Sequence, residues 1–135
     1  MQRGKINHRS RARQINDFSN MQFDGGITPT DIDGLIEYDD KCFILFEIKL
    51  HDAPVPNGQK LALVRLVDNL SKPALLVIAS HDVEDANMDI DVSKCVVTDY
   101  YSFGTWRDGN GRSLKSLTHY FLKRYGGERY ARFTV

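Results

Sequence analysis

The chain has 135 residues and a mass of 15.4 kDa, with 41% hydrophobic and 27% charged residues and 18 basic residues against 18 acidic ones. That length suits one domain, and the composition is too apolar for a disordered chain, while the longest apolar run, 74–79, is far too short to span a membrane. The basic start has no apolar stretch behind it, so no secretory leader is expected, and two cysteines, Cys42 and Cys95, are too few for a disulfide framework or a Cys-based zinc site, which makes a reducing cytoplasm the expected compartment.

The first expected element is a helix over 7–19, where Ala12, Ile15 and Phe18 recur three residues apart. Gly25-Gly26 and Pro29 then break the chain. Residues 31–38 and 42–50 read as two strands, and the short polar stretch 39–41 between them predicts a β-hairpin. A loop with Pro54 and Pro56 follows. A helix is expected over 58–70, with Asn57 as N-cap and Leu63, Leu66, Val67 and Leu70 as its apolar stripe. Pro73 stops it. The wholly apolar run 74–79 reads as a strand buried on both faces, as in a parallel sheet. A further strand is expected over 95–101. The last helix is expected over 113–125, with Leu114, Leu117 and Phe121 inward and Gly126-Gly127 as its stop. The order predicts an α/β fold: a mixed central sheet with a β-hairpin core, flanked by helices. One domain, 1–135, is expected, with its core over about 7–80 and a C-terminal strand and helix over about 93–125.

The hairpin carries the chemistry. Asp31 and Asp33 open its first strand, and Glu47 and Lys49 close its second. Side chains alternate along a strand, so each pair shares a face. A three-residue turn pairs 38 with 42, which sets Asp33 opposite Glu47 and Asp31 opposite Lys49; a two-residue turn would put the carboxylates on opposite faces. The odd turn is the expectation. Two adjacent carboxylates repel unless a cation lies between them. Mg²⁺, with Mn²⁺ as a substitute, suits one or two carboxylates plus water and substrate phosphate, and the Ile48 carbonyl is a further oxygen donor. Lys49 would orient the attacking water or neutralise transition-state charge.

Asp33, a hairpin, Glu47-x-Lys49, a helix and a buried strand together resemble the PD-(D/E)xK nuclease superfamily, over roughly residues 7–80. The resemblance implies a restriction-endonuclease-like sandwich and metal-dependent hydrolysis of phosphodiester bonds, with an endonuclease acting on DNA as the expected activity. It implies Asp33 and Glu47 as metal ligands, Lys49 as the catalytic lysine and Gln59, on the following helix, as a supporting residue. Many members carry a Glu on the first helix. This chain has no Glu before Glu37, and Asp17 is the acid available there. Pro29 precedes Asp31 by two residues and Asp33 by four, so Asp31 competes with Asp33 as ligand; the apolar pair Leu35-Ile36 after Asp33 favours the latter. Small nucleases of this kind often form homodimers, so a dimer is expected from the resemblance.

Charge is segregated along the chain. Residues 1–23 hold five bases against Asp17, while residues 24–54 hold eight acids against Lys41 and Lys49. Residues 101–135 hold seven bases against Asp108 and Glu128. Basic flanks around an acidic middle suit a protein that grips a polyanion and holds a cation. Arg9, Arg11 and Arg13 are the candidate nucleic-acid contacts, with DNA ahead of RNA and no membrane partner. His51, following Lys49 on the same face, is an additional candidate. Tyr100, Tyr101, Phe103 and Trp106 read as sheet cover, or as platforms for unpaired bases. Two alternatives accompany the nuclease reading. One is a non-catalytic nucleic-acid-binding or protein-interaction module on the same fold. The other, ranked lower, is a haloacid-dehalogenase-like phosphatase, suggested by Asp31-Ile32-Asp33-Gly34 but lacking the apolar strand that should precede it.

Overall fold

The computed structural model describes residues 14–51 and 53–133. The chain divides into two compact units at 31/32. In the first, Ser19–Met21 forms a single 3-10 turn, and Phe23 and Ile27 bridge across Gly25 and Gly26, whose φ values of 87° and 76° suit only glycine. The expected helix over 7–19 lies mostly outside the described residues. Of its described part, 14–19, residues 14–18 are not helical and Ser19 opens the 3-10 turn. There the Asp17 carboxylate accepts from the Ser19 amide at 3.1 Å and its hydroxyl at 2.7 Å, local bonds that compete with helical ones.

The second unit is a five-stranded mixed sheet with three helices. The strands are β1 (Gly34–Tyr38), β2 (Cys42–Leu50), β3 (Ala74–His81), β4 (Val96–Ser102) and β5 (Thr105–Asp108), lying side by side in that order. The helices are α1 (Asn57–Asn69), α2 (Leu114–Tyr125) and α3 (Gly127–Phe133). The α/β class and the mixed sheet flanked by helices are as the sequence predicts. Only β2 and β3 run parallel, which requires the crossover that α1 supplies.

The hairpin forms in the predicted register: Tyr38 pairs with Cys42 and Gly34 with Phe46. Asp39 and Asp40 take left-handed φ values of 51° and 55° to make the turn, a conformation aspartate tolerates better than most residues. β1 starts at Gly34, not at 31.

Period-2 alternation splits the core into two layers. On one face Cys42, Ile44, Leu75, Val77 and Val97 pack beneath Leu114, Leu117 and Phe121 of α2. On the other, Leu45, Leu76, Ile78 and Tyr101 pack beneath Leu63 and Val67 of α1. β3 feeds both layers, so every residue from Ala74 to Ala79 is buried and the strand has no polar face. α1 begins one residue earlier than expected. Pro56 takes the N-cap position with no side-chain cap, and Asn57 is already helical. Its inward stripe includes Val64, while Leu66 points outward. Ser113 caps α2, accepting from the Ser116 amide, and Gly126 ends it.

The candidate metal and phosphate site

Glu47 lies on the α1 side of β2, because odd positions of this strand join the layer under α1. It is 2% exposed, while the charge-bearing end of Lys49, two residues on, is 3.1 Å from its Oε1. The other oxygen, Oε2, is buried without a hydrogen-bond partner. Gln59 stands one turn before Leu63 and two before Val67 on the inward stripe of α1, which turns its amide toward the same carboxyl. Burial raises the Glu47 pKa above the usual carboxylate value. Lys49 opposes that shift, the Asp33 charge adds to it, and the Gln59 amide opposes it weakly.

Asp33 sits just before β1, opposite Glu47 when the Gly34–Phe46 register is continued by one pair. Its Oδ2 accepts from the Ile48 amide at 2.7 Å. That bond fixes the exposed carboxylate at the end of the ladder, where β1 has no further residue to offer β2. It also orients Ile48. Phe43 and His51 donate their amides toward β3, to the carbonyls of Pro73 and His81. Even positions of β2 therefore face the β1 side, and the Ile48 carbonyl points the same way as its N–H.

Asp33, Glu47, Lys49 and Gln59 are thus brought together from one hairpin and one helix. Of the remaining candidates, Asp31 closes the first unit, outside β1. Arg9, Arg11 and Arg13 lie outside the described residues. His51 occupies the turn after β2 with a left-handed φ of 51°, and its Nε2 is 3.0 Å from Glu84 Oε1. It lines a cleft with Lys49.

A hard divalent cation can be tested against this donor set. Among the described residues no group of three or more His, Cys, Asp or Glu side chains is gathered as a metal cage. Magnesium does not need one: it commonly takes one or two carboxylates and fills its other positions with water and substrate phosphate. The bare Oε2 of a buried carboxyl, next to a second carboxylate whose charge disfavours ionisation, is the arrangement a cation would relieve. The residues fit.

Sequence reasoning missed two charged residues beside this cluster. Lys60, adjacent to Gln59, holds its ammonium 4.4 Å from the centre of the Trp106 ring and 3.8 Å from the Asp99 carboxylate. No spacing in the chain links α1 to β4, so only the fold reveals this pair. Compared with family models, with curated proteins and with solved structures, the chain matches none. Among the described residues no helix is long and apolar enough to cross a membrane.

Proposed function

We propose that the chain is a metal-dependent phosphodiesterase that cuts nucleic acid, DNA ahead of RNA, as an endonuclease. The observation that supports this reading best is the buried Glu47 carboxyl with one oxygen on Lys49 and the other bare, facing a second acid across the hairpin. A purely structural residue at that position would be better apolar, since an unpartnered buried polar atom costs about 1–3 kcal/mol.

Asp33, Glu47 and the Ile48 carbonyl would hold the cation. When bound, it supplies positive charge to the phosphate oxygens and acidifies water. The Ile48 amide keeps Asp33 in place. Lys49, anchored on Glu47, presents its remaining N–H donors toward the scissile phosphate, where they orient the attacking water or offset the charge that develops on the phosphoryl oxygens. Gln59 positions the Glu47 carboxyl from the helix side. By contrast, the phosphatase reading finds its two aspartates ahead of an edge strand rather than at the end of a central one.

The test is cleavage of supercoiled plasmid and of linear duplex by purified protein with Mg²⁺, Mn²⁺ or EDTA. Nicking or linearisation with either metal and none in EDTA is expected, and Glu47→Ala and Asp33→Ala should abolish it. Metal-independent binding with no cleavage of any DNA or RNA substrate would replace this reading with the non-catalytic module.

A further inference from the structure

A cleft of about 340 Å³ opens beside Lys49, between the start of α1 and the ends of β3 and β4. It lies toward the small end of the roughly 300–1,000 Å³ typical of small-ligand sites. Val55 and Ile78 give it an apolar floor, while Lys60, Thr98 and Asp99 stand at its polar rim.

The rim is built by an irregularity in the sheet. β3 and β4 lose register between Ile78 and Ala79: Ile78 pairs with Asp99 and Ala79 with Val97, so Thr98 is an extra residue. In a regular strand neighbouring side chains point to opposite faces. Here the bulge lets both Thr98 and Asp99 line one cleft. Thr98 Oγ1 donates to the Ile78 carbonyl at 3.1 Å, which holds the bulge and leaves the hydroxyl oxygen as an acceptor. Asp99, in turn, is fixed by Lys60, whose position over Trp106 steadies the pair.

The lysines around the cleft are already matched, Lys60 with Asp99 and Lys49 with Glu47, and the His51 ring is engaged by Glu84 at 3.0 Å. A second phosphate would face the Asp99 carboxylate and gain little. A neutral planar heterocycle fits better, with its face on the apolar floor and its edge on the Lys60–Asp99 donor–acceptor pair. The two oxygens of a carboxylate match two adjacent N–H donors. Guanine alone among the DNA bases offers them, at N1 and N2, with its O6 acceptor alongside for the ammonium.

We propose that this cleft is a nucleobase-binding subsite that takes an unpaired guanine next to the scissile phosphate. The proposal rests on the nucleic-acid reading of the neighbouring site, since Lys49 belongs to both. Each well-made edge contact of this kind discriminates by roughly 1–3 kcal/mol.

The test uses fluorescein-labelled short single strands of thymine, with and without one central guanine, and a third strand abasic at that position. Fluorescence anisotropy in EDTA reads binding without cleavage. Wild type should bind the guanine strand at least about tenfold more tightly than the all-thymine or abasic strand. Asp99→Asn, which keeps the shape and replaces one acceptor oxygen by a donor, should erase that preference. Lys60→Met should reduce it, and circular dichroism should confirm that both variants fold. Equal affinity for the guanine and thymine strands, an unchanged preference in Asp99→Asn, or no binding of any strand would overturn the proposal. Cleavage with Mg²⁺ but no base preference would remove the subsite alone. A guanine preference in EDTA without cleavage under any metal would remove the hydrolytic reading and leave the subsite standing.

Discussion

Replacing Glu47 by glutamine should stabilise the metal-free protein while destroying the proposed activity. Glu47 is 2% exposed, with Oε2 unpartnered, and burial together with the Asp33 charge raises its pKa. Glutamine still buries a polar amide, but removing the charge relieves the desolvation of the carboxylate and its repulsion with Asp33, a penalty of at least about 1–3 kcal/mol for a buried charged group without a full set of partners. The variant loses the Lys49 ion pair, but Lys49 is 26% exposed and can turn to water, so this loss should be about 1 kcal/mol at most. The net gain should be about 1–2 kcal/mol at pH 8 in EDTA, a rise in Tm of about 4 °C or more for a unit of this size.

The sign of the pH dependence follows from the direction of the shift. Below the ordinary Glu value of 4.5, both folded and unfolded chains carry the proton, and wild type and variant should be equally stable. As pH rises past 4.5, the unfolded chain releases its proton first. Wild type then loses stability relative to the variant until pH exceeds the raised folded-state pKa, and the gap stays constant beyond it. Urea denaturation followed by circular dichroism between pH 4 and 8 measures this gap. Saturating Mg²⁺ should narrow or reverse it, because only wild type gains binding energy. A Glu47→Gln protein less stable than wild type at pH 8 in EDTA, or a gap that does not change with pH, would refute the reasoning.

Lys49→Met should lower metal-dependent plasmid cleavage by about 10²–10³-fold, as expected for losing one charged donor at the phosphate, while the circular dichroism spectrum is unchanged. Gly109→Ala should destabilise by about 3 kcal/mol, at the upper end of overpacking costs, because a Cβ there would collide with the Val97 carbonyl oxygen; a urea midpoint equal to wild type would contradict this. Burial raises the pKa of both Cys42 and Cys95, so neither thiol should react with Ellman's reagent at pH 8 in the folded protein, and both should react in urea.

The hairpin was legible because a strand's side-chain period is two: the number of residues between Tyr38 and Cys42 alone decides whether Asp33 and Glu47 share a face. β3 was legible because a strand covered by helices on both sides must be apolar throughout. β5 was missed. Its turn places Phe103 at φ 49° and Gly104 at φ 80°, and a bulky aromatic is a poor signal for a left-handed position. α3 was missed because Gly126-Gly127 reads as a terminator. Gly127, at φ 81°, does end one helical path but begins another at once. The Lys60–Asp99 pair and the bulge at Thr98 arise from contacts between α1, β3 and β4 that no local pattern encodes.

The last pair before the tip of the β1–β2 hairpin, Tyr38–Cys42, lies four residue pairs from Gly34, roughly 14 Å along the ladder. Surface loops usually accept added or lost residues with little effect. This one should not: deleting a single residue at the tip would carry Asp33 to the far side of the sheet and separate it from Glu47. A distant, solvent-washed bend is therefore held to a fixed length, whatever side chains it carries.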